Sequence, residues 1–208
     1  MNRSIESAVR RRVAIDVDGV LADQVTHVLA RARKDYGVRM SKNDITAWDT
    51  KVDSIPFDKL ILRYFKKSKF VATMPIMKGS IGAIRLLRQK ARIIVVTNRP
   101  IGTKRETFRW LARNFKIKSS EFHDYARSPG KATLDADVLI DDRIRNIKSF
   151  TRPHSNRYGI LFDQPWNRDK HDRRGCTMAK KIIIARNWSQ VVVLFEKIDE
   201  LLSKSRNR

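Results

Sequence analysis

Five short runs of mainly β-branched residues, each closing on or beside a polar or acidic side chain, constrain this chain more than any other feature. They are VAIDVD (13–18), RIIVVT (92–97), DVLID (137–141), YGILF (158–162) and KIIIA (181–185). Their apolar residues are continuous rather than alternating, the pattern of strands buried on both faces of a parallel sheet. Helical spacing fills the gaps: Ile81, Ile84 and Leu87 in Gly79–Lys90, and Phe108, Leu111, Ala112 and Phe115 in Thr103–Phe115. A last amphipathic stretch, Ser189–Leu202, carries Val192, Phe195, Ile198, Leu201 and Leu202 to seal the core. Strands alternating with helices predict an α/β fold with a doubly wound parallel sheet.

One connection is too long for a single crossover helix. Seventy-three residues separate Asp18 from Arg92. Their helical stretches, at about 21–36, 42–48 and 57–67, cannot all lie on the sheet beside the helix of 79–90. They predict a small helical cap over residues 21–75, inserted after the first strand, with residues 1–20 and 76–208 forming the α/β core.

Composition narrows the class. With 41% hydrophobic and 32% charged residues the chain reads as globular rather than disordered. Its longest apolar run, Val191 to Phe195, is far short of the ~20 residues that span a bilayer. The single cysteine, Cys176, makes no internal disulfide and has no zinc-type spacing around it, so a reduced, cytoplasmic setting is expected. The formal charge of +23 is the odd feature. It comes from both tails and from stretches such as RARK (31–34), KKSK (66–69) and RDKHDRR (168–174). Such a field attracts nucleotides, nucleic acid and other polyanions, or simply keeps the protein soluble. Oligomeric state is not legible.

The chemistry sits in DVDGV (16–20). Gly19 permits a sharp turn directly after the first strand. Two carboxylates at the end of an apolar strand are costly without a cation or a specific partner. The competing reading is a polar strand end in which Asp18 caps a helix starting near Leu21. The four histidines, His27, His123, His154 and His171, join no catalytic pattern.

The order of DVDGV at 16–20, Thr97 closing VVTNRP, Lys131 downstream, and Asp141-Asp142 closing VLIDD is similar to the four signature motifs of the haloacid dehalogenase (HAD) superfamily, with its Rossmann-like core. Closer still, DVDGVLAD (16–23), VVTNRP (95–100) with TFRWL (107–111), LIDDR (139–143) and LFDQPWNR (161–168) followed by RNW (186–188) resemble the 5'(3')-deoxyribonucleotidase family. That resemblance implies a phosphatase acting on nucleoside monophosphates. Asp16 would be the nucleophile and Asp18 the acid and base. Mg²⁺ would be held by Asp16, the backbone carbonyl of Asp18, and Asp141, with Asp142 as an alternative ligand or a partner that orients Lys131. Thr97, Asn98 and Lys131 would hold the phosphate oxygens.

Substrate choice must come from the cap, because such a core recognises only phosphate. Trp48 is the foremost candidate to stack on a base, followed by Phe57, Tyr64, Phe65 and Phe70. Trp166 and Asn167 read better as anchors of a packed loop than as site residues. Two other functions compete: a phosphatase acting on nucleic-acid 3' or 5' phosphate ends, and a basic nucleic-acid-binding protein without turnover.

Overall fold

The computed structural model describes residues 10–124, 130–169, 173 and 181–206. The basic tails at 1–9 and 207–208, Cys176, His171 and most of RDKHDRR lie outside the described residues. In chain order the elements are β1 (Arg11–Asp16), α1 (Gln24–Tyr36), β2 (Lys51–Val52), β3 (Ile55–Pro56), α2 (Phe57–Phe65), α3 (Ser68–Ala72), α4 (Ser80–Lys90), β4 (Ala91–Thr97), α5 (Lys104–Phe115), β5 (Phe122–Asp124), β6 (Val138–Asp141), α6 (Ile144–Thr151), β7 (Tyr158–Phe162), β8 (Ile182–Ala185) and α7 (Trp188–Arg206).

The six-stranded sheet has the order β5-β4-β1-β6-β7-β8. Its neighbouring strands all pair in parallel. Strand β1 is therefore central, and its side chains divide between two cores. Val13 and Ile15 join the cluster built with α4, α5 and α7, while Ala14 joins the cluster built with Ile144, Ile147 and Phe150 of α6. Apolar layers on both faces explain why these strands read as continuous hydrophobic runs. From β1 the chain moves outward through β4 to β5, then returns to place β6 on the other side of β1. The reversal lies between β1 and β6, where a crevice opens beyond the strands' carboxyl ends.

The insertion leaves and rejoins the core side by side. Asp23 N–H donates to Pro75 O at 2.9 Å, and Met77 N–H donates to Leu21 O at 2.8 Å. Because Leu21–Asp23 serve this pairing, α1 begins at Gln24 rather than at Leu21. Residues 42–48 form only a short 3-10 turn, Lys42–Asp44. The stretch 57–67 stops at Phe65, and a separate α3 follows because Lys67 adopts an extended backbone. A hairpin was not expected here: Asp53 and Ser54, both at positive φ, form the two-residue turn between β2 and β3.

Two further elements escaped the sequence reading. Strand β5 is a three-residue edge that, among the described residues, pairs only with β4, so it needs no apolar run of its own. Helix α6 follows β6 after a two-residue break. At the carboxyl end, Val191, Phe195, Ile198 and Leu202 seal the core, whereas Leu201 is 50% exposed. Among the described residues, no helix is long and apolar enough to cross a membrane.

Candidate active site

The chain turns sharply at the end of β1. Leu21 and Ala22 N–H both donate to Val17 O, at 2.9 and 2.8 Å, and Gly19 N–H donates to Ala22 O at 3.0 Å. Gly19 has φ +76, and a methyl group there would stand 2.9 Å from Cγ of Asp142 and collide with its Oδ2. Glycine is needed for conformation and for room alike. The turn brings Asp16 and Asp18 to the lining of one cavity of about 340 Å³ at the carboxyl end of the sheet. Asp18 does not cap a helix. Its two oxygens accept from Arg99, Nε at 2.8 Å and Nη2 at 2.6 Å.

Behind Asp16 lies a buried charge cluster. Lys131, raised on a short turn after Gly130 at φ +94, donates from Nζ to Asp16 Oδ1 and to Asp141 Oδ2, both at 2.6 Å. The other oxygen of Asp141 accepts from Arg143 N–H at 2.7 Å and from the Asn146 amide at 3.2 Å. Asp142 points differently. It lines the cavity with Asp16, and its Oδ2 accepts from Trp166 Nε1 at 2.8 Å. One oxygen each from Asp16, Asp141 and Asp142 lies within 4.8 Å of the others.

Three buried carboxylates around one ammonium leave the cluster short of positive charge. Burial pushes Asp16 up to about 7, with the charges of Asp141 and Asp18 reinforcing it against Lys131. Burial likewise drives Asp142 well above the usual carboxylate range, helped by Asp141 and Asp16 and opposed by Arg143 and the Trp166 hydrogen bond. For Lys131, burial alone would lower the pKa, but the charges and hydrogen bonds of Asp141 and Asp16 outweigh it and hold the ammonium above its ordinary value. An all-oxygen donor set with surplus negative charge suits a hard divalent cation.

The other expected phosphate ligands separate. Asn98 is exposed and lines the cavity. Thr97 is 2% exposed at the end of β4, and its Oγ1 accepts from Arg99 N–H at 3.3 Å rather than lining the hollow.

The insertion supplies the opposite wall, with Trp48, Ile61 and Phe65 among its residues. Trp48 is half-buried, with the Arg143 guanidinium 4.4 Å from its ring centre and Trp166 at 5.3 Å. Phe57, Tyr64 and Phe70 are buried in the hydrophobic core and do not line the cavity. Among the described residues, no histidine lines it either. The loop at 164–167 is an anchor: Asn167 Nδ2 donates to Asp142 O and Phe162 O, both at 2.8 Å, and Gln164 Nε2 donates to Gly19 O at 2.5 Å. The sequence reading missed Arg99, Arg143 and Asn146. Arg99 carried one signal, a cation two residues after the strand-end threonine in VVTNRP.

A model of the family described as "5' nucleotidase, deoxy (Pyrimidine), cytosolic type C protein" matches residues 10–191. The chain belongs to this family. Every residue of the cluster above falls within the matched span. The chain is also similar to the 5'(3')-deoxyribonucleotidases of Bacillus subtilis (strain 168) and of Bacillus phage SPbeta. Each is 26% identical over 186 residues, with 88% of this chain and 97% of the relative covered. Among solved structures, a HAD family hydrolase from Deinococcus radiodurans R1, crystallised with bound phosphate and sodium, gives a TM-score of 0.60 at 15% identity. The alignment covers 91% of this chain and 96% of that one. The nucleotidase family thus sits here on the HAD-type α/β fold.

Proposed function

We propose that this member of the nucleotidase family is a Mg²⁺-dependent phosphatase that hydrolyses deoxyribo- or ribonucleoside monophosphates to nucleoside and phosphate. The observation that carries the reading is the convergence of Asp16, Asp18, Asp142 and Lys131 on one cavity at the β1/β6 reversal. In the first step an oxygen of Asp16 attacks phosphorus, the bond to the nucleoside oxygen breaks, and Asp18 gives that oxygen its proton. In the second, Asp18 takes a proton from water as the water attacks the aspartyl-phosphate, releasing phosphate and restoring Asp16. Lys131 offsets part of the negative charge of Asp16 and Asp141, which eases the approach of an anionic ester to a carboxylate nucleophile.

The geometry favours Asp16 and Asp142 as the side-chain ligands of the cation, with Asp141 held by Lys131, Arg143 and Asn146 instead. When bound, the cation supplies the positive charge that draws nucleophile and phosphate together. Asn98, which lines the cavity, would donate to a phosphate oxygen. Residues 21–75 act as the cap, with Trp48 and Phe65 as apolar walls for the nucleoside. The cavity volume, about 340 Å³, falls at the small end of small-molecule sites and suits a mononucleotide.

The test is phosphate release from deoxy- and ribonucleoside 5'- and 3'-monophosphates and from a phosphorylated oligonucleotide, with Mg²⁺ and with chelator. Mg²⁺-dependent turnover of mononucleotides is expected. Preference for the oligonucleotide, or full activity in chelator, rejects the reading.

A further inference from the structure

Arg99 is an unusual cation in this chain because it is 3% exposed and every part of it is engaged. Its backbone N–H donates to Thr97 at the end of β4. Nη1 donates to Thr107 Oγ1 of α5 at 3.1 Å, and Nη2 stands 2.9 Å from Met74 Sδ. The guanidinium also lies over the Phe65 ring of α2, 5.1 Å from its centre. Three separate parts of the chain thus fix the fork before any substrate arrives. Its two remaining donors both point at Asp18, whose side chain is still 20% exposed to the cavity.

A carboxyl on a short side chain turns freely about its own axis unless something holds its plane, and a planar two-donor fork does so where a single ammonium does not. We propose that Arg99 is the positioning residue for the proton-transfer step: its fork sets the plane of the Asp18 carboxyl so that one oxygen faces the ester oxygen that departs. This rests on the acid role given to Asp18 above. When Asp18 carries its proton, one oxygen keeps an N–H from Arg99 while the other holds the O–H. That proton passes to the ester oxygen as the Asp16–phosphorus bond forms, and the electron pair of the breaking bond stays on the same oxygen. Arg99 itself neither gains nor loses a proton.

Leaving-group chemistry separates this role from a merely structural one. A nucleoside departs as an alkoxide and needs the proton, whereas p-nitrophenolate departs without one. kcat/KM is the quantity to compare, because it reports only steps up to departure of the leaving group. For Arg99→Met we expect kcat/KM on a nucleoside monophosphate to fall about 100-fold, in the range of acid catalysis, and on p-nitrophenyl phosphate less than about tenfold. Arg99→Lys keeps the charge and loses the fork, so it should recover only part of the nucleotide rate. Thr107→Val, which removes an outer anchor, should show the same bias more weakly and guards against a misfolded Arg99 variant.

Equal losses on the two esters in folded Arg99→Lys and Thr107→Val overturn the proposal, as does full recovery with lysine. Asp18→Asn is the reference. If it too slows both esters equally, the acid role of Asp18 has failed and the positioning role falls with it. If Asp18→Asn discriminates and the Arg99 variants do not, only the positioning role is lost.

Discussion

Asp16 is the residue on which most depends, and its environment makes two predictions. Asp16→Asn removes the proposed nucleophile with little change in size, so phosphate release should fall by at least about 10³-fold while the melting temperature stays near or above that of the parent. Retained turnover in a folded protein sinks the aspartyl-phosphate route. The second prediction concerns pH. An acid raised from 3.8 to about 7 holds its proton more tightly when folded. Between those values the folded state binds more protons than the unfolded state, and this group's contribution to stability falls as pH climbs. A divalent cation favours the ionised form and opposes that fall. Mg²⁺ should therefore raise the melting temperature more at pH 8 than at pH 5, and equal shifts at both would count against the site. Gly19 makes a third. Gly19→Ala forces an L-residue to φ +76 against the Asp142 carboxylate. A loss of about 1–2 kcal/mol is expected from backbone strain alone, visible in a denaturant titration and accompanied by weaker Mg²⁺ activation.

At the scale of elements, the loop 164–167 ties the two halves of the site together. Trp166 holds Asp142 and Gln164 holds the turn at Gly19. Trp166→Phe keeps the packing and deletes the indole N–H, so the Mg²⁺ concentration giving half-maximal activity should rise about 10–100-fold. An unchanged requirement would mean that Asp142 needs no such support. The same loop shows what a sequence discloses. Asp16, Asp18 and the Asp141-Asp142 pair were legible because strand ends and a glycine turn are local signals. Which of the paired aspartates faces the cavity was not, since it depends on Lys131 reaching one of them through folding. Arg99 was hidden for the same reason, its partner lying 81 positions earlier. Strand β5 gave no pattern because an edge needs only backbone pairing, and α2 looked longer than it is because periodicity runs on through the break at Lys67.

For the molecule as a whole, the parallel sheet could be read because buried strands leave marks that survive without tertiary context. The charge of +23 could be counted, but its purpose could not. Its physical effect is definite all the same. Like charges repel within the compact state, and the screening length shrinks from roughly 30 Å at 0.01 M salt to about 8 Å at 0.15 M. Raising NaCl over that range should stabilise the fold by about 1 kcal/mol, roughly 2–4 °C in melting temperature. A lower melting temperature at the higher salt would show that ion pairs such as Arg168–Asp163 outweigh the surplus. One last contact spans nearly the full chain: Trp188 Nε1 donates to Val20 O, 168 positions earlier, at 3.0 Å. During synthesis the turn at the end of β1 leaves the ribosome 168 residues before the indole that braces it. The geometry of that turn should therefore be completed only as α7 docks.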